Sequence, residues 1–279
     1  MIEEQKSKRL PVALTIAGSD SGAGAGIQAD LLTFADFGVF GTSAITAITA
    51  QNPDGVSDIQ VASPENLASQ IRQVLEFFPV RAIKTGMLPT EESVEVVAAM
   101  LEELAPDIPL VVDPVLVATS GTTLADNQAF AAIRNRLMPR AAVVTPNLDE
   151  MGALVGKRPI DADELENASF ELVREIGVPV LAKGGHLEGE EVQDFLHFPN
   201  HTTTYSSSRV ENVDTHGSGC TLSAAIAANL ALGHSLEPAI EGAREYLQGT
   251  LRNPLEISGK KVIRHGLDSF SHGNSHFKF

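Results

Sequence analysis

A single cysteine, no tryptophan and two tyrosines stand in a chain of 279 residues. One cysteine cannot build a disulfide framework, and it suits a reducing, cytoplasmic setting. Zinc patterns that need paired cysteines or a helical histidine pair cannot be drawn. Basic residues are also scarce, 20 Lys and Arg against 36 Asp and Glu, for a net charge of −16. That sign excludes nucleic acid as a general partner, because gripping a phosphate backbone needs a basic face. Any phosphate site must therefore be local, made of backbone N–H groups, one or two lysines and a metal. No apolar run spans a bilayer, and Met1 to Leu10 is charged without an apolar signal core, so no membrane partner is expected.

Familiar catalytic signatures are missing as well. There is no Gly-Lys-Ser/Thr of a P-loop and no Gly-x-Ser-x-Gly nucleophile elbow. Gly22-Ala23-Gly24-Ala25-Gly26 approaches a dinucleotide fingerprint, but its third glycine falls one residue early. Three histidines, His265, His272 and His276, lie in a polar tail and read as solvent-exposed.

What is present is an alternation of strand and helix. Val12–Ile16 is a short apolar strand, and Ile27–Phe37 has helical periodicity. Phe40–Ala50 alternates as a strand, and Pro53-Asp54-Gly55 is a turn. Ser63 and Pro64 open a helix as N-cap and first-turn proline. Strands follow at Ala82–Thr85, Leu110–Asp113, Ala141–Thr145 and Val180–Lys183, and Leu110–Asp113 is apolar throughout before its aspartate, as a buried parallel strand is. Between them lie a helix from Thr90 through Leu104, one over Asn127–Leu137, and one beginning at Asn147 or Leu148. Glu191–Arg209 reads as a hairpin around Pro199-Asn200, inserted before the last helix. The expectation is one doubly wound α/β domain, a mostly parallel sheet with helices on both faces.

Ligands of such sheets bind beyond the carboxyl ends of the strands. The polar residues expected there are Ser19, Asp20, Gln51, Asn52, Lys84, Thr85, Asp113, Thr145, Asn147, Glu150 and Lys183. To these belongs the turn Asp214-Thr215-His216-Gly217-Ser218-Gly219-Cys220-Thr221, which feeds a helix of small residues. The first N–H groups of a helix lack intrahelical partners and sit at its positive end, so this turn is a phosphate or oxyanion site. The lone cysteine falls in that first turn, where its thiolate is favoured.

Seven stretches appear in one order: AGSDSGAGAGIQAD (17–30), GTSAITAITAQN (41–52), KTGML (84–88), VVDPVLVATSG (111–121), TPNLDE (145–150), AKGGH (182–186) and DTHGSGCT (214–221). Together they closely resemble the hydroxymethylpyrimidine/phosphomethylpyrimidine kinases of thiamin biosynthesis, a family of the ribokinase-like superfamily. The resemblance runs over roughly residues 12–252. It implies a ribokinase-like kinase domain over 12–256, preceded by an extension (1–11) and followed by a tail (257–279). It further implies ATP as co-substrate, magnesium, and a homodimer.

Residue by residue, the resemblance makes Gln51 the reader of the pyrimidine edge, with Asp30 and the Gly18 backbone as further contacts. An amide suits a ring nitrogen beside an amine, since it offers donor and acceptor together. Met87 and Val115 become the apolar walls of the ring pocket. Asp113, Asn147 and Glu150 fall where the family orders magnesium and the triphosphate, with Asp113 and Glu150 as metal ligands. Lys183 and Thr215 fall at the ATP phosphates. Gly217, Ser218, Gly219 and Cys220 form the anion hole for the moving phosphoryl group, and Cys220 is the base on the substrate hydroxyl. Leu32 and Ser218 depart from the family's usual lysine and threonine; Ser218 enters the anion hole through its backbone N–H, which the change of side chain leaves in place.

The resulting reading is a kinase that phosphorylates 4-amino-5-hydroxymethyl-2-methylpyrimidine and then its monophosphate. A pyridoxal or pyridoxine kinase is the alternative enzyme, because pyridoxine also carries a hydroxymethyl group on a nitrogen ring. A non-catalytic pyrimidine-binding sensor is the alternative from another class. Intact Asp113, Asn147, Glu150, Lys183 and Cys220 speak against it.

Overall fold

A computed structural model describes residues 10–117 and 121–265. The first half runs β1 (Val12–Asp20), α1 (Gly26–Asp36), β2 (Phe40–Asn52), β3 (Gly55–Val61), α2 (Pro64–Phe77), β4 (Val80–Thr85), α3 (Glu91–Leu104), β5 (Leu110–Val112) and α4 (Asn127–Ala132). The second runs β6 (Val143–Val144), α5 (Leu148–Val155), α6 (Ala162–Ile176), β7 (Val180–Ala182), β8 (Glu191–His197), β9 (Thr202–Ser208), α7 (Ser218–Ala231), α8 (Leu236–Arg252), β10 (Leu255–Ile257) and β11 (Lys260–Val262).

Nine strands make one sheet in the order β3-β2-β1-β4-β5-β6-β7-β8-β9. The neighbours from β2 to β7 are parallel, and β3, β8 and β9 extend the two edges antiparallel. The pleat sorts β1 between two cores. Val12, Leu14 and Ile16 pack with α2 to α6, whereas Ala13 packs with α1, α7 and α8. A strand covered on both faces has no polar side, which is why β5, β6 and β7 are apolar throughout. Among the described residues no helix is long and apolar enough to cross a membrane.

Helix starts follow the local chemistry of the sequence. Ser63 accepts from the Asn66 N–H at 3.3 Å, with Pro64 in the first turn of α2. Thr90 does the same for α3. Asn147 and Glu150 make a reciprocal capping box at α5, which therefore begins at Leu148.

Several elements differ from the sequence reading. The Glu191–Arg209 hairpin is no separate insertion, since β8 pairs with β7 and carries the main sheet outward. β3 was not foreseen because it lies at the sheet edge with few buried side chains and so lacks the expected alternation. The helix expected over Asn127–Leu137 stops being α-helical at Ala132 and widens into a π-helical turn over Ile133–Leu137. α6 and α8 were likewise not separated out, and the β10–β11 hairpin crosses the proposed boundary at 256. His265 is buried rather than exposed. His272 and His276 lie outside the described residues.

One topological feature positions the site. β1 lies between β2, which follows it, and β4, so the chain reverses direction across the sheet at β1. A crevice opens outside the carboxyl ends of β1 and β4 at such a switch point.

Candidate active site

Two glycine turns close over that crevice, backbone against backbone. Gly26, at the start of α1, has φ +58°, and a Cβ there would lie 2.3 Å from the Gly18 carbonyl oxygen. Gly217, the N-cap of α7, has φ +80°, and a Cβ there would lie 1.9 Å from the Gly24 carbonyl oxygen. Only glycine fits either place. The first turn of α7 thus meets the first turn of α1 at the crevice floor. The Ser218 N–H is spent on the Thr215 carbonyl at 3.0 Å and that of Thr221 on Gly217 at 2.8 Å. This narrows the expected anion hole, because Ser218 has no N–H to offer. The N–H groups of Gly219 and Cys220 meet no acceptor among the described residues.

Gly18, Met87, Val115 and Gln51 line one pocket. Gly18 is bare because the Met87 sulfur would lie 2.8 Å from any Cβ there. Gln51 belongs to a polar chain that sequence reasoning missed. His216 Nε2 lies 3.0 Å from Asp20 Oδ2 and 3.2 Å from the Gln51 amide. Asp20 also accepts the N–H groups of Gly22, Gly24 and Ala25. Burial would raise the Asp20 carboxyl, but His216 and these N–H groups outweigh it and hold it low. Asp20 is thus a carboxylate, and His216 donates to it through Nε2. Gln51 must then turn its oxygen toward His216 and donate to the Thr49 hydroxyl, 3.1 Å away, which itself donates to the Ser19 carbonyl. One N–H and one lone pair of Gln51 remain for a ligand. The signal for this chain was available in Asp20 at a strand end and His216 beside the anion turn.

A charged cluster in the same pocket gathers residues from separate strands. Asp113, just past β5, accepts from Lys183 at 2.9 Å, Thr145 at 3.1 Å and Ser223 at 3.1 Å. Glu150 accepts the Asn147 N–H at 2.7 Å and stands 3.9 Å from the Lys183 ammonium. Burial raises Asp113, but Lys183 and Lys84 prevail and hold it low. Burial raises Glu150 to about 7 despite Lys183, and the Asp113 charge adds to the rise. Lys183 is raised, since its two carboxylate neighbours overcome burial. Thr215 and Asn147 line the same pocket, as do the apolar residues Val192, Val210, Leu247 and Leu251.

Every residue to which the family resemblance gives a role lines this one crevice except Asp30, whereas Asn52, Lys84, Thr85 and Thr145, also expected at the strand ends, do not line it. The expectation for Asp30 is corrected. Asp30 is fully buried beneath the floor, where it accepts from Lys84 at 2.8 and 2.9 Å and from the Thr15 hydroxyl at 2.5 Å. With no exposure and no place on the crevice wall, this carboxylate serves Lys84 and Thr15 rather than a ligand in the crevice. Burial pushes Asp30 upward and would push Lys84 down, but the contact raises Lys84, and the donors converging on Asp30 hold the pair ionic. A lysine within the apolar strand Val80–Thr85 was the readable sign of such a pair.

Cys220 lies at the crevice floor, reachable from the cavity yet enclosed by protein. The helix terminus does not leave its thiol acidic. Burial pushes it up to about 11, against the pull of Lys84 and the Gly26 N–H. A desolvated anion in a site that already holds Asp30 and Asp113 is costly, and that cost exceeds the helix's contribution.

The arrangement offers an open pair of N–H groups, a lysine and two carboxylates beside an apolar ring pocket. The sequence pattern of the family described as phosphomethylpyrimidine kinase matches residues 20–264. A hydroxymethylpyrimidine/phosphomethylpyrimidine kinase of Synechococcus elongatus is 44% identical over 250 residues, 89% of this chain and 94% of that one. A phosphomethylpyrimidine kinase crystal structure from Clostridium difficile, 38% identical, has a TM-score of 0.75 and spans 86% of this chain and 99% of its own. An ADP complex of Bacillus subtilis pyridoxal kinase, 32% identical, has a TM-score of 0.84 and spans 94% and 100%. By sequence over most of its length, the chain belongs to the phosphomethylpyrimidine kinase family.

Proposed function

We propose that the chain transfers the γ-phosphoryl group of ATP to 4-amino-5-hydroxymethyl-2-methylpyrimidine, and then a second one to the resulting monophosphate. The observation that carries this reading is the juxtaposition of the Gln51–Met87–Gly18 pocket with the open N–H groups of Gly219 and Cys220. The ring stacks between Met87 and Val115, and the Gln51 amide meets its nitrogen and amine edge. The hydroxymethyl group then points to Cys220.

In the first step the alcohol loses its proton to the Cys220 thiolate as its oxygen attacks phosphorus, and ADP leaves. Charge on the moving phosphoryl group is met by the Gly219 and Cys220 N–H groups, which need no reorganisation. Lys183 faces the nucleotide phosphates, and the apolar side chains of Val192, Val210, Leu247 and Leu251 suit an adenine ring. In the second step the acceptor is a phosphate oxygen, and the product is the diphosphate.

Magnesium fits the donor set. Asp113 and Glu150 would offer the hard oxygen ligands that this ion takes. Among the described residues no three metal-binding side chains cluster, so waters and the nucleotide phosphates would supply the remaining ligands. When bound, the ion would neutralise charge on those phosphates.

The likeness to pyridoxal kinases favours a second reading, phosphorylation of a pyridoxine-type hydroxymethyl group. The deciding experiment measures ATP consumption with each acceptor. A kcat/KM for the pyrimidine below that for pyridoxal overturns the first reading. The single cysteine supports a cytoplasmic location, and the exposed Phe40, Ile48, Val61 and Phe77 support a homodimer, which sedimentation tests.

A further inference from the structure

The segment after α8 reads in the sequence as a tail, yet it grips the anion turn from behind. The Asp214 N–H, at the head of the turn, donates to the Lys261 carbonyl of β11 at 2.7 Å. Three residues past β11, His265 is buried, with Nε2 2.8 Å from the Thr221 hydroxyl. Thr221 in turn holds the turn itself. Both its N–H, at 2.8 Å, and its hydroxyl, at 2.9 Å, reach the carbonyl of Gly217.

Thr221 has one hydroxyl hydrogen for two partners, the Gly217 carbonyl at 2.9 Å and His265 Nε2 at 2.8 Å. Burial pushes the His265 imidazole below the ordinary range, so the ring is neutral with a single proton to place. Only with that proton on Nε2 are both contacts hydrogen bonds, and we assign the ring this tautomer: Nε2 donates to the Thr221 oxygen and the hydroxyl donates to Gly217. The donor keeps the Thr221 hydroxyl from rotating away, and the hydroxyl keeps the Gly217 carbonyl pointed into α7. Gly217 is the left-handed residue from which the Gly219 and Cys220 N–H groups take their direction.

We propose that His265 is a positioning residue for phosphoryl transfer, holding the Gly217 turn through Thr221 so that the Gly219 and Cys220 N–H groups stay aimed at the moving group. It rests on the reading of those two N–H groups as the anion hole. Residues 257–265 are then working parts of the kinase rather than a tail.

The mechanism has a signature that ordinary packing lacks. An anion hole serves both phosphorylation steps, so its misalignment slows the alcohol and the phosphate acceptor alike, at unchanged pyrimidine KM. The experiment measures kcat for each step in the full-length chain carrying His265→Phe, His265→Gln, Thr221→Val, or His265→Phe with Thr221→Val. Phe keeps ring bulk without the donor, and Gln keeps a donor near the Nε2 position. His265→Phe and Thr221→Val should each lower kcat in both steps by about tenfold. The double variant should be no slower than either, and His265→Gln should lie within about twofold of the parent.

Parent-like kcat in Thr221→Val overturns the proposal, and this variant decides if His265→Phe does not fold. His265→Gln as slow as His265→Phe also overturns it. So does a loss confined to the alcohol step, which would trace to the thiol. Gly219→Pro, which deletes one N–H of the hole, separates the two readings. If it costs nothing, the anion hole itself is misassigned. If it costs both steps while Thr221→Val costs neither, only the role of His265 fails.

Discussion

The Lys84 ammonium and the Asp30 carboxylate face each other at 2.8 and 2.9 Å, and neither side chain has any exposure. Such a pair is not a simple source of stability, because two charges have left water to make it. What it guarantees is that neither partner can be lost alone. Lys84→Met should destabilise the fold by about 3–5 kcal/mol, since it strands a buried carboxylate. Lys84→Met with Asp30→Asn removes both charges and should recover most of that loss. Urea denaturation of the three proteins checks this. A double variant as unstable as the single one would mean that the pair's geometry, not its charge, holds this part of the core.

Much of this molecule was legible because single residues carry it. Ser63, Thr90 and Asn147 announce their helices by capping chemistry, and β5 and β7 announce burial by having no polar side. The crevice was legible because a doubly wound sheet delivers its strand ends to one place. What escaped has the complementary cause. β3 has few buried residues to pattern, and His265 sits in a polar stretch whose burial depends on partners 44 residues away in sequence. Asp30 was misassigned because a motif records that a carboxylate is needed, not which cation it meets. Cys220 was expected to be acidic from its helix terminus alone. The opposing effect, burial beside Asp30 and Asp113, exists only in three dimensions.

Gln51 is held by its neighbours, so its removal should act on the ring and not on the nucleotide. Gln51→Ala deletes a hydrogen-bonding pair at a desolvated edge, which costs on the order of 1–3 kcal/mol. The expected outcome is a pyrimidine KM raised about tenfold or more with the ATP KM unchanged. Steady-state kinetics with each substrate varied in turn checks it. An unchanged pyrimidine KM would leave Gln51 as a prop for the His216–Asp20 contact.

Glu150 sets function against stability. Its carboxyl is raised from 4.5 to about 7, first by burial and further by Asp113. A raised acid binds its proton more tightly in the folded chain than in the unfolded one. The contribution is therefore fully present below about pH 4.5 and is lost as pH rises through about 7. Glu150→Gln cannot ionise and still offers an oxygen to the Asn147 N–H. It should be more stable than the parent at pH 8 by on the order of 2 kcal/mol, and should not differ much at pH 5. Its magnesium requirement should rise and its kcat fall. Denaturation at the two pH values, beside a magnesium titration of activity, checks both halves. A variant less stable at pH 8 would show that the charge of Glu150 is already fully matched by Lys183 in the free protein.

The two acceptors differ in what they ask of Cys220. An alcohol must lose a proton, so a base helps its phosphorylation by roughly 10²–10⁴-fold. A phosphate acceptor, with a second pKa near 6, is already largely ionised at pH 7 and needs little such help. Cys220→Ala leaves the backbone N–H groups in place, so it should cripple the first step far more than the second. The thiol's rise to about 11 adds a pH signature. A base works only when deprotonated, and below about 11 the ionised fraction grows tenfold with each unit of pH. In the parent, kcat/KM for the alcohol should therefore climb through pH 7 to 9, whereas the phosphate step should stay nearly flat above pH 7. In Cys220→Ala the climb should vanish. Equal losses in both steps, with the alcohol profile still rising, would move the base elsewhere and leave Cys220 as a wall of the anion hole.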